Sequence, residues 1–305
     1  MNATPDAVPN SWVDRTPANI QPYLRLMRAD RPIGTWLLYI PCLWGLAAAA
    51  MSGGDANFAW FVLLFAIGAY AMRGAGCVYN DIVDQDFDGL VERTAARPIP
   101  AGLVTTKQAW LLLTGLCLIG LLVLIQLNQT AIIVALASLF FVGVYPFMKR
   151  ITWWPQAWLG LTFNWGALVG YAGVASELTA PALAVYAAGI FWTLGYDTIY
   201  AHQDKDDDAL IGVKSTARRF GDNTKPWLIG FYASTIILIV VSGAMTNASA
   251  IFYAALLPAA AHFIWQIRTL DIANSHNCLI RFKSNRAAGL LLLLAPICEV
   301  IFRSV

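Results

Sequence analysis

The sequence predicts an all-α polytopic membrane protein, a bundle of nine transmembrane helices. Three observations predict it. Of 305 residues, 58% are hydrophobic and only 12% are charged, about half the charged share of an ordinary soluble domain, and the mean hydropathy is +0.60. Apolar runs of about 18 to 22 residues, each long enough to cross a bilayer, fill most of the chain. The basic residues gather in alternate loops, which is how membrane proteins fix their orientation. A water-soluble enzyme is excluded, and no nucleic-acid partner is expected.

Residues 1–32 precede the first run and read as a cytoplasmic N-terminal segment. They hold Pro5, Pro9, Pro17 and Pro22, with no apolar core of a signal peptide and no arginine before Arg15. Neither a signal peptide nor an Arg-rich presequence is visible. That favours a bacterial inner membrane over the mitochondrial inner membrane, the alternative. The spans follow at 33–52, 57–78, 108–127, 130–148, 153–174, 180–200, 226–246, 249–269 and 286–303, so that 33–305 forms a single transmembrane domain. They are longer than strands and lack the ten-residue alternation of a barrel, so helices are the spanning structure. Five scattered cysteines, Cys42, Cys77, Cys117, Cys278 and Cys298, have no paired spacing and imply neither disulfides nor zinc.

With nine spans, the N-terminal segment and the loops after even-numbered spans share one side. Eighteen of the twenty Lys and Arg residues lie there. Arg73 sits near that side's end of the second span, and Arg303 is the single basic residue on the other. The positive-inside rule places the crowded side in the cytoplasm, or in the matrix of a mitochondrion. The opposite loops are short and hold only Asp55, Glu177 and Glu299, so function belongs to the crowded side.

Two loops there carry carboxylates, 79–107 and 201–225. The first contains Asn80, Asp81, Asp84, Asp86 and Asp88, then Arg93 and Arg97. If the second helix runs on beyond the membrane, Asp81, Asp84 and Asp88 fall on one face. Like charges so placed repel, and divalent cations between them would relieve that. The second loop runs Asp204-Lys205-Asp206-Asp207-Asp208, then Lys214 and Arg218-Arg219, and Asp204 and Asp208 again share a face. The loops look like degraded copies, with Arg93-Thr-Ala-Ala-Arg97 matching Lys214-Ser-Thr-Ala-Arg218. Asp86, Asp206 and Asp207 are either ligands or solvated neighbours.

Mg²⁺ takes hard oxygen ligands and is usually held by one or two carboxylates plus the phosphates of a substrate. Carboxylates followed by Lys and Arg therefore suit a metal-bridged diphosphate, with Lys205 and Lys214 among its basic partners. Neither loop has a P-loop pattern. An intramembrane ionisable residue is a functional candidate, so Arg73 is assigned to the diphosphate ahead of the alternative, a snorkelling structural role. Lys149 and Arg150 either bind donor phosphate or mark the flank of the fourth span.

Asn80-Asp81-x-x-Asp84-x-x-x-Asp88 resembles the first signature of the UbiA-type intramembrane aromatic prenyltransferases, and Asp204-x-x-x-Asp208 resembles the second. Similarity continues through Arg31-Pro-Ile-Gly-Thr-Trp, Met72-Arg-Gly-Ala-Gly, Tyr145-Pro-Phe-Met-Lys-Arg150 and Tyr196-Asp-Thr-Ile-Tyr200. These strings are similar to the 4-hydroxybenzoate polyprenyltransferase branch, which acts in ubiquinone synthesis. The resemblance implies a nine-helix bundle whose central cavity opens to lipid and is capped by the two acidic loops. It implies Mg²⁺ on Asp81, Asp84, Asp88, Asp204 and Asp208, with Asn80 as a ligand or supporting donor. A polyprenyl diphosphate is the expected donor and 4-hydroxybenzoate the expected acceptor.

On that reading the allylic C–O bond ionises as diphosphate leaves, and aromatic residues such as Tyr145, Phe163, Trp165 and Tyr196 shield the cation from water. Asp197, at the membrane end of the sixth span, assists deprotonation of the phenol. Arg28 or Arg31 holds the aromatic carboxylate through a bidentate guanidinium. A transporter is the rival of another class. Its charges should sit at midspan, whereas here they crowd one face.

Overall fold

The computed structural model describes residues 10–88, 92–210 and 212–304, with the backbone alone at 86–88, 92–93 and 206–207. Its regular elements there are all helical: α1 Gln21–Leu26, α2 Ile33–Met51, α3 Phe58–Asp88, α4 Glu92–Ala95, α5 Thr106–Leu124, α6 Gln129–Ile151, α7 Pro155–Phe163 and α8 Trp165–Ala175 come first. They are followed by α9 Ala180–Ala201, α10 Lys205–Leu210, α11 Thr216–Phe220, α12 Thr224–Met245, α13 Ala250–Ala255, α14 Leu257–Thr269, α15 Ser275–Lys283 and α16 Asn285–Ser304. Among the described residues, eight stretches are long and apolar enough to span a membrane.

Eight of the nine expected spans coincide with these stretches, and the ninth is present as a broken helix. The expected span at 153–174 is two helices, α7 and α8, of 9 and 11 residues, meeting at Asn164. Its side-chain amide donates to the Gly160 carbonyl at 2.9 Å and to the Thr193 hydroxyl at 2.7 Å. Asparagine competes in this way with the helical backbone ladder. Hydropathy averages over one polar residue and misses the break. A smaller interruption separates α13 from α14 at Leu256, just ahead of Pro258, whose ring cannot continue a helix without loss.

The chain forms two compact units, Met1–Trp36 with Leu64–Gln126, and Leu37–Leu63 with Leu127–Val305. In the first, the N-terminal segment folds against α3 and α5. Val13, Leu26, Met27 and Ala29 bury into a cluster with Ala71, Ala75, Val78 and Ile82 of α3 and Ala109 and Leu116 of α5. The α3 residues recur every three or four positions, one stripe of the helix. Arg25 pairs with Asp14 at 2.9 Å and, as the hydrogen-bond donor, holds its carboxyl below the usual carboxylate range. Thr105 and Gln108 close a reciprocal capping box at the start of α5, satisfying two otherwise unpaired N–H groups.

In the second unit α2 lies directly on α8. Gly170 has no room for a Cβ, which would meet the Cys42 carbonyl. Small residues allow this backbone approach in membranes, where dispersion and not water expulsion drives packing. Trp192 is fully buried, its indole N–H donating to Asn285 Oδ1 at 3.0 Å, with the Trp44 ring 4.9 Å away. A second cluster gathers Leu194 and Ile199 of α9, Phe220, Leu228 and Phe231, Leu270 and Cys278. Outward side chains are as apolar as inward ones: Leu111 is 73% exposed and Phe140 64% exposed. Such surfaces face lipid in a membrane helix and would drive aggregation in water.

Candidate functional site

No Pro or Gly lies between Cys77 and Asp88, and α3 continues through the whole first motif. Asp81 and Asp84 therefore lie one turn apart, and each is only 1% exposed. The two carboxylates have different surroundings. Asp81 Oδ1 accepts from Arg28 at 2.9 Å and from Arg97 at 3.3 Å, while Oδ2 accepts from Arg28 at 2.8 Å. Asp84 Oδ2 accepts from the Asn80 amide at 3.1 Å. The side chains of Asp86 and Asp88 lie outside the described residues.

The basic residues of this unit stand as follows. Arg28, assigned to the acceptor carboxylate, is on Asp81. Arg31 Nε reaches the neighbouring Asp30 Oδ2 at 3.4 Å. Arg73 approaches the Cys77 sulfur through Nη1, and its guanidinium lies over Gly34, where any Cβ would collide with it. Gln85 Oε1 accepts from Thr106 at 3.0 Å, fixing the start of α5 to the acidic end of α3. Sequence reasoning left Arg97 without a role. Its signal was the parallel between the two small-residue and arginine strings.

In the second unit α9 ends at Ala201, a 3-10 turn carries His202 to Asp204, and α10 carries Asp208. Asp204 and Asp208 are half-buried, and the side chains of Asp206 and Asp207 lie outside the described residues. Asp197 is half-buried on α9, next to the fully buried Tyr196. His202 Nε2 bonds the Thr224 hydroxyl at 2.9 Å, and Gln203 donates to the Tyr200 carbonyl at 3.1 Å. The strand of chain beyond α10 is tied down by Thr198 and Thr216, 2.6 Å apart, and by Gln156 Oε1 accepting from the Thr216 N–H at 3.0 Å.

Lys149 and Arg150 form the last turn of α6, where cations complement the helix dipole. Lys149 is half-buried and Arg150 exposed. Lys214 docks on the same end, its N–H donating to the Lys149 carbonyl at 2.9 Å and its ammonium to the Ile151 carbonyl at 3.1 Å. Lys205 is half-buried at the start of α10. Arg218 donates to the Asp208 and Val213 carbonyls and lies 5.3 Å from the Trp153 ring centre.

Among the described residues, no three His, Cys, Asp or Glu side chains converge as a metal cage. What each motif does offer is hard oxygen: the buried Asp84 carboxylate beside the Asn80 amide in one, and Asp204 and Asp208 in the other. That donor set fits Mg²⁺, which takes a few carboxylates and completes its shell with water and phosphate. It does not fit a soft, closed Cys/His site.

The fold and the site define a polytopic helical membrane protein with oxygen donors and basic side chains at its helix ends. The chain belongs to the UbiA prenyltransferase family, whose model matches residues 38–291. It is 51% identical over 284 residues to the mitochondrial 4-hydroxybenzoate polyprenyltransferase of Homo sapiens, covering 92% of this chain and 76% of that one. The protein of the same name from Caenorhabditis elegans is 46% identical over 306 residues, covering 100% of this chain and 85% of its own. The apo structure of a UbiA homolog from Aeropyrum pernix K1 superposes with a TM-score of 0.70 at 24% identity, covering 88% of this chain and 98% of that one. A UbiA homolog from Archaeoglobus fulgidus, solved bound to DMAPP and Mg²⁺, gives 0.65 at 19% identity, covering 92% and 99%. These two likenesses establish a shared fold.

Proposed function

We propose that the protein transfers a polyprenyl group from polyprenyl diphosphate to the ring carbon ortho to the hydroxyl of 4-hydroxybenzoate, releasing diphosphate, as a step of ubiquinone synthesis. The observation that carries this reading is the pair of aspartate motifs at the ends of α3 and α9, in a chain about half identical to enzymes of that name over nine-tenths of its length. The working unit is the transmembrane domain 33–305, with its loops at 79–107 and 201–225.

Asp81, Asp84 and Asp88, supported by Asn80, and Asp204 and Asp208 are the side chains that would hold Mg²⁺. When bound, the metal supplies positive charge against the diphosphate, so that charge growing on the leaving group is stabilised. A solved neighbour of the same fold carries DMAPP and Mg²⁺, which supports the choice of ion. Arg73, Lys149, Arg150, Lys205 and Lys214 add donors to the phosphate oxygens. The allylic C–O bond ionises, its electron pair leaving with the diphosphate; the ortho carbon then bonds to the allylic cation, and the ring proton is lost to solvent as the ring regains aromaticity. Asp197 takes the phenol proton during the attack, which raises electron density at the attacking carbon, and returns it to the oxygen afterwards. Buried aromatic rings such as Tyr196 keep water from the cation. Arg28 or Arg31 orients the acceptor through its carboxylate.

Both inner membranes remain compatible with the charge segregation. The names of the relatives favour the mitochondrial one, against the bacterial inner membrane expected from the N-terminal residues, with the acidic loops then facing the matrix.

The test uses membranes containing the protein, 4-hydroxybenzoate, a polyprenyl diphosphate and Mg²⁺, with product followed by mass spectrometry. Product is expected with the native chain and lost with Asp84→Asn, Asp204→Asn or EDTA. Diphosphate release with a different aromatic acceptor alone would overturn the acceptor, and no release with any acceptor would overturn the reaction.

A further inference from the structure

We propose that Thr106 is a positioning residue for the first aspartate motif. Its hydroxyl, bonded to Gln85, fixes the rotation of the last turns of α3 and so sets where Asp84 presents its carboxylate to the metal. The metal part of this inference rests on the function proposed above; the strut rests on geometry alone.

The acidic end of α3 needs outside support. A helix of 31 residues is about 46 Å long, while the hydrocarbon of a bilayer is about 30 Å thick. The surplus is the end that carries Asp81, Asp84, Asp86 and Asp88. Carboxylates three or four positions apart on a helix repel one another, and the carbonyl end of a helix is itself negative. Helices in proteins draw most of their stability from tertiary packing, so the contacts that reach this end decide how well it is held.

Those contacts arrive along one stripe. Ala71, Ala75, Val78 and Ile82 of α3 bury in the cluster shared with the N-terminal segment and α5, recurring every three or four positions. Three positions past Ile82 the stripe reaches Gln85, which is polar and half-buried. Its Oε1 accepts from the Thr106 hydroxyl at 3.0 Å. Thr106 is anchored on both sides, because Val104 and Ala109 are buried in the same cluster and the Thr105–Gln108 box caps the start of α5. The apolar grip on α3 thus ends in a directed bond. Apolar contact is non-directional, whereas a hydrogen bond constrains angle as well as distance.

Asp84 precedes Gln85 and lies about 100° from it round the helix, so an anchored Gln85 sets the direction in which Asp84 leaves the backbone. The Asn80 amide also donates to Asp84, at 3.1 Å, but that bond lies within α3 and turns with it. Arg28 and Arg97 hold the preceding turn at Asp81. The Thr106 bond ties the helix to another element one turn further on.

The test uses the purified full-length protein and Mn²⁺ as a paramagnetic stand-in for Mg²⁺, its binding read from loss of the free-ion electron paramagnetic resonance signal. Thr106→Val removes the hydroxyl and keeps the branched shape. It is expected to weaken Mn²⁺ binding about fivefold or more, and Thr106→Ser to restore it within about twofold of native. Thr105→Ala is the control at the neighbouring position: it opens the capping box and keeps the Gln85 bond, so Tm falls while Mn²⁺ affinity stays within about twofold. In prenyl transfer, Thr106→Val should raise the Mg²⁺ concentration for half-maximal rate about fivefold, with the rate at saturating Mg²⁺ within about twofold of native. A general loss of folded protein would lower the saturated rate instead.

Native Mn²⁺ affinity in Thr106→Val would overturn the proposal. Equal weakening in Thr105→Ala would overturn it too, since the start of α5 and not the hydroxyl would then be the cause, and so would a native chain that binds no Mn²⁺. Should Thr106→Val fail to fold, Gln85→Leu decides the matter: it extends the apolar stripe and removes the same bond, and unchanged Mn²⁺ affinity there refutes the strut. A native protein that shows these binding differences but forms no prenylated product would defeat the proposed function and leave the strut standing.

Discussion

Arg303 is the basic residue that breaks the charge segregation, and the structure gives it a mechanical task whose loss can be calculated. On α16, Glu299 is 1% exposed. It accepts from the Ser249 N–H at 3.0 and 3.1 Å, from the Ser249 hydroxyl at 2.6 Å and from Arg303 Nε at 2.8 Å. The other two guanidinium nitrogens donate to the Met51 carbonyl at 2.8 Å and to those of Thr246 and Asn247 at 2.8 and 3.1 Å. One side chain thus closes the carbonyl ends of α2 and α12 and neutralises the carboxylate that caps α13. Arg303→Met keeps the apolar stem and removes all four hydrogen bonds. Breaking a buried pair costs about 3–5 kcal/mol. Arg303 is 35% exposed on its side chain, so water partly replaces it, and about 2–3 kcal/mol is the expected loss after that discount. At about 2–4 °C per kcal/mol, Tm falls by roughly 4–12 °C. Thermal unfolding of purified protein, followed through its 12 tryptophans, measures this. In the double variant Glu299→Gln with Arg303→Met the fall should be smaller, because no unpaired charge stays buried. A single variant within about 1 °C of the native chain, or a double variant worse than the sum of the singles, would refute the reasoning.

Gly34→Val tests the placement of Arg73. The new side chain displaces the flexible end of Arg73 and not backbone, so Tm should hold within about 2 °C while prenyl transfer falls about tenfold, equal to about 1.4 kcal/mol at the barrier; a matched fall in both would show a folding defect instead. Gly170→Leu meets the Cys42 carbonyl, which cannot step aside, and a loss of about 3 kcal/mol should appear as poor yield and a lowered Tm, with an unchanged Tm counting against the close α2–α8 approach. Thr105→Ala removes the capping box of α5 and should cost about 1 kcal/mol, read as a Tm lower by about 2–4 °C with the prenyl-transfer rate at permissive temperature preserved.

The spans were legible because a membrane imposes one long-wavelength signal, a run of apolar residues with basic flanks, and that signal does not depend on packing partners. Its resolution is a window of some twenty residues. Asn164 is a single polar position inside such a window, and it splits one expected span into α7 and α8. The continuation of α3 through Asp81 and Asp84 was legible for a local reason: no helix breaker follows Gly76 until Gly89. Which carboxylate faces what was not legible. Asp81 and Asp84 have the same residue type, nearly the same helical face and the same burial, and the pairing of Asp81 with Arg28 and Arg97 brings those arginines from elsewhere in the chain. Periodicity places a side chain on a face but says nothing of what long-range folding brings to it.

The two acidic loops make the same point from the opposite direction. Their tails read alike, Arg93-Thr-Ala-Ala-Arg97 and Lys214-Ser-Thr-Ala-Arg218, yet the last arginine of each does different work. Arg97 donates to a carboxylate, Asp81. Arg218 donates to backbone carbonyls, those of Asp208 and Val213, and lies over Trp153. The first tail therefore reaches a carboxylate on α3, while the second reaches the backbone of its own loop. The first motif has three aspartates at helical spacing and the second two. Similar strings thus end in arginines whose partners are set by what the fold brings to them, a carboxylate that Arg28 of the N-terminal segment also reaches in one case and backbone carbonyls in the other.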